Sequence, residues 1–127
     1  MTGSIRHRER GAMVGPAKSD FFMTGLLAAV AGSVRMDGPD LSIRQFAILL
    51  IVAVERQQPQ TVRGLAARLH LPKPAVSRAL DRLEEVGLTR RVPDPADRRS
   101  VHILLTPKGH GFLENLRAIA GGETQDA

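Results

Sequence analysis

Apolar residues recur along this chain at two spacings, and each change of spacing marks a change of backbone. From Phe21 to Val34 they crowd most positions, which predicts a helix capped by Ser19 or Asp20 and running to about Met36. Phe22, Leu26, Leu27, Val30 and Val34 make it apolar on most sides, so it needs cover from a core or from a second subunit. The run Ser42-Ile43-Arg44-Gln45 is a capping box, and Leu41 with Phe46 has the spacing of a hydrophobic staple. A buried helix therefore starts there and continues through the apolar stretch Ala47 to Val54. After Gln57-Gln58-Pro59-Gln60, Thr61 caps a short helix whose Val62, Leu65, Ala66 and Leu69 share one face. Leu71-Pro72 breaks it. The next helix runs from about Pro72, suited to a first helical position, to Val86, with Val76, Leu80 and Leu83 as its core stripe. Gly87 ends that helix as a left-handed cap and places Leu88 to pack back on the preceding turn.

Beyond the cap the period falls to two. Leu88, Arg90 and Val92 alternate with Thr89 and Arg91, then Val101, Ile103 and Leu105 alternate with His102 and Leu104. Two strands are implied, joined by the turn-rich, charged segment Pro93 to Ser100 as an exposed hairpin tip. Thr106 with Pro107 opens a last helix carrying Phe112, Leu116 and Ile119, which Gly121-Gly122 is expected to end. The fold class is mainly α with a small β-hairpin wing, a winged helix-turn-helix. One domain is expected over residues 18–120, its flanking helices serving dimerisation. Residues 1–17 read as a disordered basic tail and residues 121–127 as a disordered C-terminal tail.

Charge narrows the partner. Lys and Arg outnumber Asp and Glu by 18 to 13. Arg63, Arg68, Lys73, Arg78, Arg82, Arg90, Arg91, Arg98, Arg99 and Lys108 concentrate the excess between Thr61 and His110. A local positive excess points to a polyanion, either nucleic acid or an anionic membrane surface. The chain has no Cys, which excludes disulfides, thiolate catalysis and Cys-ligated zinc. It has no Trp or Tyr, and Phe21, Phe22, Phe46 and Phe112 sit in apolar runs, which counts against stacking readers of single strands. A secretory signal reading of Arg6, Arg8, Arg10 and Lys18 before Phe21–Val34 is weakened by Asp20, Thr24 and Gly25, and the stretch is too short to span a bilayer. A cytoplasmic protein without cofactor or membrane partner is expected. Catalysis finds no nucleophile–base pair, phosphate loop or metal cluster, and His7, His70, His102 and His110 are scattered and read as surface residues.

The order of elements carries a resemblance. Leu65-Ala66 with Leu69, the run Val76-Ser77-Arg78-Ala79-Leu80-Asp81-Arg82-Leu83-Glu84-Glu85-Val86-Gly87-Leu88, then Arg90-Arg91, Asp97-Arg98-Arg99 and Leu105-Thr106-Pro107-Lys108-Gly109 resemble the multiple antibiotic resistance regulator (MarR) family over about Leu41 to Leu116. The resemblance implies a homodimeric bacterial transcription regulator, usually a repressor on a near-palindromic double-stranded DNA operator, released in many members by a small aromatic or phenolic ligand. The effector of this chain and its binding residues are not legible in the sequence.

In a helix-turn-helix the second helix enters the major groove, N-terminal end first. With Val76, Leu80 and Leu83 inward, Lys73, Pro74, Ser77, Arg78 and Arg82 are expected to face DNA, the plain alternative being a solvated face. The resemblance implies that Arg99 reaches the minor groove while Asp97 holds it, with Arg98 between them, the plain alternative being a weak surface ion pair. Two features depart from the family: the recognition helix opens on Leu71-Pro72-Lys73 without a Ser or Thr cap, and one C-terminal helix stands where the family has two. The rival function is a winged helix used as a protein–protein module, which would tolerate neutral residues where these arginines stand.

Overall fold

The structure, a computed structural model, describes residues 18–126, and the Arg-rich segment expected to be a basic tail, residues 1–17, lies outside the described residues. Its elements are α1 (Lys18–Arg35), α2 (Ile43–Val54), α3 (Val62–Leu69), α4 (Lys73–Glu85), β1 (Thr89–Pro93), β2 (Val101–Leu105) and α5 (Pro107–Asp126). The chain divides into two compact units: Pro39–Glu114, and residues 18–38 with 115–126.

The Pro39–Glu114 unit is the winged helix-turn-helix. Ser42 and Gln45 form the expected capping box at the head of α2, each side chain bonding the other's backbone N–H, at 3.2 and 2.9 Å. Ile48 and Leu49 of α2, Leu65 of α3, Val76, Leu80 and Leu83 of α4, Leu88 and Ile103 are the largest fully buried side chains. They form one core beneath α2, α3, α4 and the hairpin. Strands β1 and β2 pair antiparallel, with Thr89 opposite Leu105 and Pro93 opposite Val101. A single bridge, the Ile103 N–H donating to the Gln60 carbonyl at 2.9 Å, fastens the hairpin to the residue before the α3 cap.

Leu88 does not belong to β1. Gly87 takes φ +82°, and the Leu88 N–H returns to the Leu83 carbonyl at 2.9 Å, so both residues close the α4 cap and the strand begins at Thr89. The faces of the strand shift accordingly. Arg90 is exposed, not aligned with a buried Leu88, while Arg91 is the half-buried arginine.

In the other unit α1 turns its smallest residues inward. Ala28 and Gly32 are buried, and a Cβ on Gly32 would lie 2.8 Å from Ile119 Cγ2 of α5, so this contact is built on the absence of a side chain. Phe21, Phe22, Met23, Leu26, Leu27, Val30 and Val34 remain 45–76% exposed. Helix α5 passes through Gly121 and Gly122 and ends at Asp126, beyond the expected stop. Glycine in a helix interior costs only about 1 kcal/mol and lacks the steric block of proline, so it weakens a helix without ending it. Among the described residues no helix is long and apolar enough to cross a membrane.

Candidate nucleic-acid interface

The turn between α3 and α4 is made by a histidine in an uncommon conformation. His70 adopts the left-handed region at φ 55°, its N–H reaches the carbonyls of Ala66 and Ala67, and the Leu71 N–H follows to Ala66 at 3.0 Å. His70 is thus the hinge of the helix-turn-helix, a role its reading as an ordinary surface residue did not contain.

Helix α4 begins without any side-chain cap, and proline chemistry explains why it can. Pro72 is the N-cap rather than the first helical residue, and Pro74 stands in the first turn. Of the four N–H groups that a helix start leaves unpaired, these two prolines supply none, and the Ala75 N–H bonds the Pro72 carbonyl at 3.0 Å. Only the Lys73 N–H is left to solvent or to a ligand.

From this start the outer face follows. Lys73, Pro74, Arg78 and Arg82 are exposed and Ser77 is half-buried, while Ala75, Val76, Ala79, Leu80 and Leu83 are buried. Arg82 is engaged by Glu85 at 2.5 Å, whereas Lys73 and Arg78 make no ion pair among the described residues. The outward basic set on this helix is therefore Lys73 and Arg78, with Arg82 partly neutralised.

Across from it, Asp97 shapes the wing tip. Its Oδ1 accepts the Arg99 N–H at 3.1 Å, its Oδ2 accepts the Ser100 hydroxyl at 3.4 Å, and its carbonyl accepts the Ser100 N–H at 2.9 Å. The Arg99 Nε stands 3.9 Å from the same carboxylate, and its side chain is 97% exposed. Asp97 thus fixes the backbone that presents Arg99 more than it holds the guanidinium itself. Arg98 is exposed beside it. At the start of the wing tip Asp94 accepts the Ala96 N–H at 2.9 Å and lies 3.4 Å from the His102 Nε2.

Arg91 is spent inside the fold. Its guanidinium donates to the Ser77 carbonyl at 3.0 Å and to Asp81 at 2.7 Å, and its own N–H donates to Glu84 at 3.1 Å, tying β1 to the back of α4. Arg68 is likewise paired with Glu55. Sequence reasoning counted both as equal parts of one basic surplus.

A residue the motifs did not single out completes the surface. Arg63, exposed in the first turn of α3, lines a groove of about 490 Å³ together with Thr61, Lys73, Asp97, Arg99 and Ser100. Its signal was available, since it follows the Thr61 cap by two positions and lies off the face of Leu65, Ala66 and Leu69.

A helix-turn-helix with an outward basic start, followed by a two-stranded wing with an exposed arginine at its tip, defines the winged helix-turn-helix class. Residues 40–100 match the model of the MarR family, and this segment belongs to that family. The chain is 35% identical over 75 residues to the "uncharacterized HTH-type transcriptional regulator YkoM" of Bacillus subtilis, covering 59% of this chain and 47% of that protein. Among solved structures it resembles the transcriptional regulator Tm0710 of Thermotoga maritima, at a TM-score of 0.69 and 27% identity over 83% of this chain and 70% of that one. It also resembles MepR of Staphylococcus aureus in a complex with DNA, at 0.62 and 28% over 67% and 63%. The chain spans about half the length of the curated relatives it matches.

Proposed function

We propose that this protein is a transcription regulator that binds double-stranded DNA sequence-specifically, with α4 in the major groove and Arg99 in the adjacent minor groove. The observation that carries the reading is the division of labour among the arginines: Arg91 and Arg68 are consumed by the fold, while Lys73, Arg78, Arg98 and Arg99 stand exposed on α4 and the wing. A guanidinium placed early on a recognition helix can meet a guanine edge with two parallel hydrogen bonds, and one held out on a hairpin gains most in a narrow A·T-rich minor groove. The MepR complex with DNA supports the same assignment by similarity.

The working unit in this reading is a homodimer. The large apolar residues of α1 are 45–76% exposed, more than a solvated helix carries without a partner. Two copies related by a two-fold axis suit a near-palindromic operator with half-sites about one helical turn apart. Bound across a promoter, such a dimer acts as a repressor.

Selection of bound duplexes from a random pool tests the reading directly. A symmetric site is expected, and Arg78→Ala should cost about 1–3 kcal/mol and relax preference at one base pair in each half-site. Recovery of no preferred sequence at low salt refutes sequence-specific binding.

A further inference from the structure

The end of the recognition helix and the first turn of α5 are held by the same atoms. Past Glu85 the chain closes α4 by returning the Val86, Gly87 and Leu88 N–H groups to the carbonyls of Arg82, Glu84 and Leu83, at 3.0, 2.9 and 2.9 Å. Thr106 caps α5 by accepting the Gly109 N–H at 2.9 Å, and it also donates its hydroxyl to the Gly87 carbonyl at 2.5 Å and its own N–H to the Leu88 carbonyl at 3.1 Å. We infer that Thr106 is a positioning residue for operator recognition: it fixes the direction in which α5 leaves α4, and through it the separation of the two recognition helices in the dimer. The inference rests on the proposed dimeric DNA-binding reading and goes beyond it by placing the choice of half-site spacing at one hydroxyl.

A helix cap needs only the acceptor half of this arrangement. The hydroxyl proton is spent on a carbonyl 19 residues upstream, where it does nothing for the start of α5 and ties that start to the end of α4. Packing around the tie leaves little room for the two to slide. A Cβ on Gly109 would lie 2.3 Å from the Leu88 carbonyl oxygen, and one on Gly87 would lie 3.3 Å from Lys108 Cδ, so backbone rests on backbone on one side and the Lys108 stem crosses the cap on the other. Helix α5 runs unbroken from Pro107 to Asp126; its residues up to Glu114 belong to the winged-helix unit, and the rest to the unit that carries the exposed apolar face of α1. At about 1.5 Å per residue a helix of this length spans about 30 Å, so a change of about 10° at its first turn displaces its far end by about 5 Å, more than the roughly 3.4 Å rise of one base pair. Slack of that size at the junction would blur the half-site spacing by a base pair.

The test varies the operator and the hydroxyl together. Inserting or deleting one base pair at the centre of the selected site shifts the half-sites by about 3.4 Å and turns them by about 35°. The parent should lose about tenfold or more in affinity on either change. Thr106→Val, which keeps the shape and removes the hydroxyl, should lose only about threefold, bind the best-spaced duplex more weakly than the parent, and bind a duplex with one half-site as the parent does. Thr106→Ser should behave as the parent. A residue that merely capped α5 would lower the urea midpoint and leave the spacing penalty at its parent value, and that result overturns the inference.

A second arm needs no DNA. The chain has no cysteine, so Glu85→Cys gives one attachment point for a nitroxide spin label at the exposed end of α4. Distances between the two labels of a dimer, measured by double electron–electron resonance, should form a narrow distribution in the parent background and with Thr106→Ser, and a broad one with Thr106→Val. Equal widths overturn the brace and leave the DNA reading standing. A broadened distribution in a protein for which no duplex can be selected would keep the brace and remove the DNA reading, and the absence of any label pair would remove the dimer and the inference with it.

Discussion

Replacing Arg91 by methionine separates the arginines that hold the fold from those proposed to meet DNA. The side chain is 29% exposed and makes contacts of two kinds, one to the Ser77 carbonyl at 3.0 Å and ion pairs to Asp81 at 2.7 Å and, more loosely, to Glu84 at 3.7 Å. Asp81 is 66% exposed, which puts its ion pair at the weak end, about 0.5 kcal/mol. A charged donor on a part-buried carbonyl is stronger, about 1.5–3 kcal/mol. Methionine keeps most of the aliphatic stem, so Arg91→Met should cost about 2 kcal/mol, whereas Asp81→Asn, which removes only the ion pair, should cost about a quarter of that. Urea unfolding at fixed protein concentration reads the difference: with a slope of about 2 kcal/mol per molar, the Arg91→Met midpoint falls by about 1 M and that of Asp81→Asn by about 0.25 M. The slope of DNA affinity against salt should stay at the parent value, because Arg91 neutralises carboxylates and a carbonyl of its own chain. Equal losses in the two variants would show that the ion pair, not the carbonyl contact, carries the brace. A salt slope reduced by about 1 per half-site at unchanged stability would place Arg91 on a phosphate and refute its structural role.

Other outcomes follow from the same geometry. Arg99→Ala should reduce the salt slope by about 1 per half-site and blunt any preference for flanking A·T pairs. Asp97→Ala should also weaken binding although it removes a negative charge, because the turn presenting Arg99 loses its two acceptors; tighter binding in matched titrations would mean that the carboxylate only repels DNA. Gly109→Ala would set a Cβ 2.3 Å from the Leu88 carbonyl oxygen and 2.7 Å from Leu105 Cδ1. Backbone cannot yield as a side-chain tip does, so a loss of more than about 2 kcal/mol in thermal or urea unfolding is expected, and a neutral substitution would contradict the packing of α5 on the strand head. Sedimentation at micromolar concentration should show a dimer, and monomer alone with and without operator would leave the apolar face of α1 to another use.

What could be read from the sequence was what is decided within a few residues. The Ser42–Gln45 box, the Thr61 cap, the Gly87 turn and the Thr106 cap each rest on a side chain bonding backbone three residues away, or on one φ angle, and the structure contains them all. The errors lie where tertiary packing outranks local pattern. Leu88 alternates with Arg90 and Val92 as a strand residue would, yet its N–H is claimed by the helix cap. Arg90 and Arg91 are indistinguishable in composition, and only the position of α4 beneath β1 decides which is consumed. In α1 the sequence showed only that the apolar residues need cover from a core or from a second subunit; it did not show that Ala28 and Gly32 make the close approach while the large residues face out. Of the candidate site, Lys73, Pro74, Arg78, Arg98 and Arg99 are exposed as expected, Ser77 is half sunk, and Arg82 is tied to Glu85. Arg63 was legible only as one of the basic residues between Thr61 and His110, because the groove it lines is assembled from segments far apart in the chain, Thr61–Arg63, Lys73 and Asp97–Val101.

The proline pair at the head of α4 has a consequence for how such a protein can change its target. Where a serine or threonine caps a recognition helix, one side chain near the DNA is committed to holding the helix and cannot be exchanged without loosening it. Here the start is written into the ring geometry of Pro72 and Pro74, and no side-chain oxygen takes part. Lys73, Ser77 and Arg78 are therefore exempt from capping duty, and on the proposed DNA-binding reading substitutions there should redirect base preference while the helix keeps its origin and direction. A library varied at those three positions should hold a large share of folded members, which makes this helix a suitable frame for retargeting to new operators.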